Sequence, residues 1–287
     1  AHSVFALPFA VLGAFLAAHA GAVPAPRFAG QLAIILLCMF FARTWAMLVN
    51  RLADWRFDRD NPRTARRVIA SGRLSPREGW LVALACASCF MICCTLFWFL
   101  FANPWPTILG LPVLAWIALY SYTKRFTFLC HLFLGGALAA SPIAAAIAVA
   151  PQTIFDPESL QSAIYLISGF VLFWVAGFDV AYALADIDFD RRTGLHSIPA
   201  RLGPRGALWV ARLLHLCAYA CLLLAWLAAA PFGTLTLGAI GAVGGVLIAE
   251  HIVLARRGVA GLPLAFFTLN GIVSLLLGAV GVADVLI

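Results

Sequence analysis

Residues 29–60 read AGQLAIILLCMFFARTWAMLVNRLADWRFDRD, an apolar run that turns polar and acidic at its end. The apolar part is about 20 residues long, the length at which a helix can cross a lipid bilayer. Asn50, Asp54 and Asp58 follow it at intervals of four, so on a helix they share one face, about 6 Å apart along the axis. The stretch therefore predicts a membrane helix that presents acidic side chains at one end.

A second copy of this pattern occurs where another apolar run ends, in FDVAYALADIDFD at residues 178–190. Tyr182, Asp186 and Asp190 repeat the spacing, and together the two copies hold four of the chain's 12 acidic residues. Asp60 and Asp188 lie outside this register. Carboxylates are hard oxygen ligands of the kind that Mg²⁺ takes together with phosphates. Two such faces, opposed, predict a site where Mg²⁺ joins a diphosphate to the carboxylates.

Composition places the chain in a membrane. Hydrophobic residues make up 64% of it and charged residues 11%, about half the charge of a soluble domain. Nine apolar runs approach or reach spanning length: residues 4–22, 29–50, 80–101, 106–122, 128–150, 161–185, 207–230, 234–254 and 263–287. We therefore predict an all-α polytopic membrane protein with one domain over residues 1–287, built as two pseudo-repeated four-helix halves plus a ninth helix.

The basic residues predict the orientation. Of the 19 basic residues, all except Arg27, Arg43 and Arg212 follow an even-numbered span. Cytoplasmic loops carry the excess of Lys and Arg, so both acidic motifs are expected to face the cytoplasm. The two long cytoplasmic loops, 51–79 and 186–206, contain Gly and Pro, and we expect them to form a cap over the site. The net charge of +7 follows from this topology and an anionic substrate, and we predict no nucleic-acid binding.

Several basic residues lie where they could hold phosphate oxygens. Lys124, the only lysine in the chain, and Arg125 end the fourth span. Arg63, Arg66 and Arg67 follow the first acidic motif. Guanidinium and ammonium groups bind phosphate through charge-assisted hydrogen bonds, so this set is expected to contact the diphosphate.

Two charged residues lie deeper in the predicted spans. Arg43 precedes Asn50 by one heptad, and Asp179 precedes Asp186 by the same interval. Because a lone arginine inside a membrane is costly, Arg43 needs an anionic partner or a water-filled cavity. We expect Asp179 either to pair with Arg43 or to contact a substrate. The histidines show no metal-ligand spacing, and no P-loop, nucleophile elbow or HExxH motif is present.

These residues together resemble the UbiA superfamily of intramembrane aromatic prenyltransferases. Its signature has N-x3-D-x3-D on the second helix, then R-T-x2-R, and D-x3-D on the sixth helix. The matches are Asn50/Asp54/Asp58, Arg63-Thr64-x2-Arg67 and Asp186/Asp190. YSYTKR at residues 120–125 looks like the family's segment after the fourth helix, and residues 178–190 are similar to 4-hydroxybenzoate polyprenyltransferases.

The resemblance implies a nine-helix bundle around a cavity open to the cytoplasm and to lipid, with Mg²⁺ as cofactor. It implies transfer from a polyprenyl diphosphate to an aromatic acid in a bacterial plasma (inner) membrane. The expected metal ligands and catalytic residues are Asp54, Asp58, Asp186 and Asp190. The expected substrate contacts are Asn50, Arg43, Arg63, Arg67, Tyr120, Lys124, Arg125, Asp179 and Tyr182. The family's basic residue near the first helix has no match, and we expect the natural protein to have residues before Ala1.

Alternatives remain at this stage. The acceptor is expected to be 4-hydroxybenzoate for ubiquinone, and a dihydroxynaphthoate in menaquinone biosynthesis is the alternative. CDP-alcohol phosphotransferases also use intramembrane aspartates, but their D-G-x2-A-R-x8-G-x3-D-x3-D motif is absent from this sequence. A transporter or channel is the non-enzyme alternative, since internal repeats are common in transporters. It would predict charges spread through the membrane depth, whereas here they cluster at one face.

Overall fold

A computed structural model describes residues 3–157 and 159–287, and all regular structure in these ranges is helical. The helices are α1 Ser3–Ala20, α2 Ala25–Asp60, α3 Pro76–Phe101, α4 Trp105–Thr123, α5 Cys130–Val149, α6 Gln152–Phe155, α7 Gln161–Tyr182, α8 Ile187–Thr193, α9 Ile198–Ala228, α10 Thr234–Arg257 and α11 Asn270–Leu286. Each predicted span coincides with most of one of these helices, and the last also includes a π-helical stretch, Leu264–Leu269.

The predicted all-α polytopic membrane protein is confirmed. Eight helical segments of the described chain are long and apolar enough to cross a membrane, and Phe5–Ala20 forms a shorter apolar helix. Large apolar side chains such as Phe40, Phe99 and Leu100 are exposed on the outside of the bundle. In a bilayer these side chains contact lipid instead of water, so their exposure does not destabilise the protein.

The long helices form one bundle in which α1 also packs against α5. Each packs against the next long helix along the chain, and α11 packs back against α1. Helix α7 is the most enclosed, because it contacts α1, α5 and α9. Glycine permits the closest approaches: a Cβ on Gly135 of α5 would overlap the Leu172 carbonyl oxygen of α7, and one on Gly13 of α1 would overlap Pro142 of α5. Small residues serve in this way where membrane helices cross.

The segment 51–79 is helical at both ends: α2 continues to Asp60, as the motif spacing predicts, and α3 begins at Pro76. Residues 51–60 contain neither Gly nor Pro, so the helix continues until Asn61. The following proline drives Asn61 into an extended conformation, with ψ 117°, and ends the helix. The true loop is 61–75, and a Ser75–Glu78 capping box starts α3.

The predicted loop 186–206 is largely helical. A 3₁₀ turn, Ala183–Asp186, leads into α8, which ends at Gly194 with φ 69°. Helix α9 begins at Ile198 and carries a kink at Gly203, where φ is 72°. Proline near the start of a helix loses no internal hydrogen bond, so Pro199 marks a helix start instead of a loop.

Candidate active site

The first acidic motif lies on one uninterrupted helix, α2, as predicted. Asp58 is buried, and Arg67 Nη1 donates to both of its carboxylate oxygens at 2.8 Å. Thr64 Oγ1 donates to the Asp58 carbonyl oxygen at 3.1 Å. The loop 61–75 therefore folds back on the end of the helix it follows, and it places a guanidinium on the motif.

The second motif departs from the predicted geometry. Helix α7 ends at Tyr182, and Asp186 closes the 3₁₀ turn before α8, which carries Asp190. The expectation of one continuous helical face is therefore wrong for Tyr182 and Asp186. Such turns have three residues per turn and are common at helix ends, so residues four apart no longer stack on one face.

Arg63 joins the two motifs. Its Nε donates to Asp186 Oδ1 at 3.0 Å, its Nη2 to Asp186 Oδ2 at 2.5 Å, and its Nη1 to the Tyr182 hydroxyl at 2.8 Å. Asn61 Nδ2 also reaches Asp186, at 3.5 Å. Burial of the guanidinium would lower the pKa of Arg63, but Asp186 outweighs it and the pKa is raised. Arg63 is therefore a permanent cation between the motifs.

The end of α4 adds two more cations. Arg125 Nη2 donates to the Ala53 carbonyl oxygen at 2.6 Å and lies 3.4 Å from Asp54 Oδ1. Burial would lower the pKa of Lys124, but the carboxylates around it, Asp190 foremost, raise that pKa overall. Lys124 is therefore a charged ammonium that the carboxylates of the second motif stabilise.

The start of α9 completes the group. Ser197 caps this helix by accepting a hydrogen bond from Ala200 N at 3.2 Å. The same hydroxyl donates to Asp190 Oδ2 at 2.8 Å. His196 N donates to the Lys124 carbonyl oxygen at 2.7 Å, so the segment between α8 and α9 is tied to the end of α4.

The expected pairing of Arg43 with Asp179 is wrong. Asp179 Oδ2 instead lies 2.7 Å from His131 Nδ1 on α5. In the part of the chain that the structure describes, the buried Nε of Arg43 has no hydrogen-bond partner. Tyr120 lies in the last turns of α4, four residues before Lys124. The structure thus places these predicted residues beneath the motifs, while it assigns them different partners.

Sequence reasoning missed four residues of this region. Ser197 two positions before a proline is a recognisable helix start, and Asn61 before a proline is a recognisable helix end. No sequence signal identifies His131 or Phe266. The ring centroid of Phe266 lies 4.4 Å from that of Tyr182. Both depend on which helices become neighbours.

The donor chemistry of the four motif carboxylates fits a hard divalent cation such as Mg²⁺. The described residues contain no group of three or more His, Cys, Asp or Glu side chains close enough to hold a metal. Instead Asp54, Asp58 and Asp186 each have an arginine partner, and Asp190 has Ser197. The residue types fit the metal, while in this structure charge balance comes from arginine and lysine.

A cavity of about 420 Å³ lies at the other end of the bundle. It is lined by residues such as Arg27, Phe101, Trp105 and Gln152, and by none of the predicted site residues. The candidate site is therefore defined by the charged side chains at the ends of α2, α4 and α7, where the ionisable groups converge.

Sequence comparisons agree on one family. The UbiA prenyltransferase family matches residues 6–281. A protein named 4-hydroxybenzoate octaprenyltransferase from Hydrogenovibrio crunogenus is 33% identical over 175 residues, 61% of this chain and 57% of that protein. One of the same name from Ectopseudomonas mendocina is 32% identical over 201 residues, 69% of this chain and 62% of that protein. The chain thus spans little more than half the length of these curated relatives.

Solved structures share the whole fold. A UbiA homolog from Aeropyrum pernix K1 aligns with a TM-score of 0.82 at 31% identity, covering 99% of this chain and 98% of that one. A UbiA homolog from Archaeoglobus fulgidus bound to GPP and Mg²⁺ aligns with a TM-score of 0.69, over 99% of this chain and 96% of that one. At 21% identity the second likeness concerns the fold alone. The chain belongs to the UbiA prenyltransferase family.

Proposed function

We propose that this protein transfers a polyprenyl group from a polyprenyl diphosphate to 4-hydroxybenzoate in an Mg²⁺-dependent reaction of quinone biosynthesis. One observation carries the proposal: Arg63 links the two acidic motifs at an end of the bundle where Arg67, Lys124 and Arg125 also converge. Similarity to proteins named 4-hydroxybenzoate octaprenyltransferase supports this acceptor class.

The cations are suited to a diphosphate. Arg63 and Arg67 present planar guanidinium groups, which bind phosphate oxygens in pairs of parallel hydrogen bonds. Lys124 adds a compact charge beside Asp190. Bound Mg²⁺, held by Asp54, Asp58, Asp186 and Asp190, would supply further positive charge that offsets the leaving diphosphate.

The chemistry then follows from charge. The allylic C–O bond breaks as negative charge develops on the diphosphate, and the fixed positions of Arg63, Arg67 and Lys124 stabilise that charge without reorganisation. The electron-rich ring of the acceptor attacks the allylic carbon and loses a proton. Water has to be excluded, because it would capture the allylic cation.

Arg43 supports an acidic acceptor. Its buried Nε is without a partner in the described ranges, and a carboxylate of the substrate would satisfy it. Both 4-hydroxybenzoate and a dihydroxynaphthoate carry such a carboxylate. The prenylation of a dihydroxynaphthoate in menaquinone biosynthesis is therefore the second candidate, served by the same Arg43.

We propose that the whole chain is one transmembrane domain of a bacterial plasma (inner) membrane, with the site facing the cytoplasm. Arg63, Arg67 and Arg125 all lie at the motif end, the end that the positive-inside rule assigns to the cytoplasm. The loop 61–75 and the segment around α8 form the cap, and the prenyl tail of the donor lies toward membrane lipid.

The test is prenyl transfer by purified protein in lipid, with one labelled polyprenyl diphosphate and the two acceptors in separate reactions. We expect Mg²⁺-dependent product with 4-hydroxybenzoate, and Asp54→Asn should abolish it. Asp60→Asn is the matched control, because Asp60 is exposed and outside the motif register. Product with the naphthoate alone would support the menaquinone assignment.

The transporter alternative predicts a different result. A transporter moves its ligand without acceptor-dependent release of pyrophosphate. If no pyrophosphate and no product form with any divalent metal and either acceptor, the enzyme assignment is wrong.

A further inference from the structure

The cavity at the end of the bundle opposite the acidic motifs has no part in the proposed reaction. Its volume of about 420 Å³ is within the range of ligand sites, about 300 to 1,000 Å³. Residues of the α1–α2 turn, the α3–α4 turn and the connection from α5 to α6 line it. Because all three connections lie where helices end, the cavity is at the level of a membrane surface.

Buried side-chain amides hold the walls of the cavity in place. Asn103 Nδ2 donates to the Ile147 carbonyl oxygen at 2.8 Å and to the Ala148 carbonyl oxygen at 3.1 Å, so the α3–α4 turn is tied to the end of α5. Gln31 Nε2 on α2 donates to the Val149 carbonyl oxygen at 3.0 Å. Both amide side chains are buried. The cavity is therefore bounded by backbone segments that are fixed to one another.

Arg27 supplies the charge of the cavity. It is the only basic residue of the connections at this end, residues 22–27, 102–106, 150–160 and 229–233. Its Nη2 donates to the Phe101 carbonyl oxygen at 2.9 Å, and its Cζ lies 5.6 Å from the centroid of the Phe101 ring. Within residues 3–157 and 159–287, Nε and Nη1 of Arg27 have no hydrogen-bond partner. These two nitrogens are available to a ligand.

The surroundings of Arg27 favour an anion. No carboxylate is among the lining residues, and Asp156, which follows α6, does not line the cavity. Helix α2 begins beside the cavity with Pro24 as its N-cap, and no side chain caps its first turn. The free N–H groups at a helix start carry partial positive charge, which adds to that of the guanidinium.

The rim of the cavity has the features of a membrane surface. Trp105 lines the cavity, and its ring centroid lies 5.4 Å from that of Phe155; both side chains are exposed. Tryptophan is enriched at the headgroup level of membranes. Exposed apolar side chains continue from this rim into the membrane on α3 and α4, among them Phe99, Leu100 and Ile108. An amphiphile with an anionic head and apolar tails matches both surfaces.

We propose that this cavity binds the headgroup of an anionic phospholipid, and that Arg27 contacts its phosphate. Basic pockets between membrane helices take such headgroups, and a guanidinium forms paired hydrogen bonds to phosphate oxygens. Gln152, which also lines the cavity, carries a further amide donor. The acyl chains lie along the exposed faces of α3 and α4. The site is separate from the prenyl-transfer site and belongs to the opposite leaflet.

The experiment measures lipid binding to the purified protein in detergent by native mass spectrometry. Phosphatidylglycerol, phosphatidylcholine and inorganic phosphate are added separately at equal concentration. Wild type should bind one phosphatidylglycerol more tightly than further copies. Arg27→Gln should weaken this first binding about 10- to 100-fold, as for loss of a charge-assisted hydrogen bond. Arg27→Lys keeps the charge without the planar fork, so its loss should be smaller.

Arg256→Gln is the matched control. Arg256 is exposed like Arg27, but it lies in the last turn of α10, at the motif end of the bundle. The first phosphatidylglycerol should bind to this variant as to wild type. A second measurement uses wild type alone: phosphatidylglycerol with a photoreactive group in its headgroup should crosslink to residues 21–28 and 101–105.

Equal weakening by Arg27→Gln and Arg256→Gln, or crosslinks confined to other segments, would overturn the proposal. Equally tight binding of phosphatidylcholine would show that the cavity does not select an anionic lipid, and would overturn it as well. Displacement of the lipid by inorganic phosphate at equal concentration would show a site for free phosphate and overturn the lipid as ligand. If Arg27→Gln does not fold, the crosslinks of wild type decide.

Discussion

The two acidic motifs share one spacing and are held in different ways. Asp58 of the first is paired with Arg67, nine residues further along. Asp186 of the second is paired with Arg63, which lies 123 residues away. The first motif lies on continuous α2, whereas the second crosses a 3₁₀ turn. Equal spacing in the sequence therefore produced two half-sites, one for each motif. The first is held by a residue of its own loop, and the second depends on a residue far away in the chain.

The dependence runs through one loop. Arg63 and Arg67 lie four residues apart in the segment 61–75 and serve opposite motifs. Because the loop follows the first motif directly, a change in it reaches the second motif as well. The comparison therefore predicts that the effect of a substitution in the second motif depends on Arg63, which belongs to the loop after the first motif. The following experiments test this dependence.

Among the substitutions that test this comparison, the largest effect is expected for Asp186→Asn. It removes one proposed metal ligand and leaves Arg63 with a neutral partner, so prenyl transfer should fall about 10²- to 10³-fold, as for loss of one preorganised electrostatic contact. Steady-state kinetics with labelled donor measure this. Asp188→Asn, two residues on and exposed, is the control. If Asp186→Asn loses no more activity than its control, the second motif is not part of the site.

Arg63→Ala tests the link between halves directly. We expect about a 10- to 100-fold loss of kcat/KM, and Asp186→Asn should cost less in this background than in wild type, because the pair is already broken. A double-mutant cycle for Arg63 and Asp186 measures the coupling, with Arg67 and Asp186 as the control cycle. Equal coupling in both cycles would show that Arg63 does not join the motifs.

Lys124 provides a pH test. Its pKa is raised in the folded protein, so its contribution to stability is complete below the unfolded pKa and is lost only as pH rises through the higher folded value. The difference in unfolding free energy between wild type and Lys124→Met should therefore be constant from pH 6 to 9. The upper limit of this range lies about one pH unit below the ordinary lysine pKa. Thermal unfolding of wild type and Lys124→Met across this range checks it. If the stability difference between the two proteins varies with pH between 6 and 9, Lys124 is not the permanently charged group described here.

The smallest effect is expected at the helix caps. Ser197→Ala removes the cap of α9 and the donor to Asp190, and should lower the free energy of unfolding by about 1 kcal/mol. Activity should fall several-fold as well, because Asp190 is released. Ser75→Ala removes the cap of α3, which touches no motif, and should leave kcat/KM unchanged. A similar loss of activity in both variants would show that Ser197 acts only through helix stability.

Much of this architecture could be predicted from local patterns. Apolar length placed the spans, and the motif spacing with its neighbouring arginines identified the charged end of the bundle. Proline and glycine in 51–79 and 186–206 mark the ends of helices, as Asn61-Pro62 does for α2 and Gly194 for α8. A breaker residue limits a helix at one point and does not make its surroundings a loop, so much of both segments is helical.

The sequence by itself determined the membrane class, the helical runs and the residue types of the site, because hydrophobicity and helical spacing act over a few turns. Only the tertiary structure decided that Arg63 holds Asp186, that Asp179 faces His131 instead of Arg43, and that Ser197 reaches Asp190. Hydrogen bonds form within about 3 Å. Which side chains come that close depends on the packing of helices far apart in the chain, and no local pattern records it.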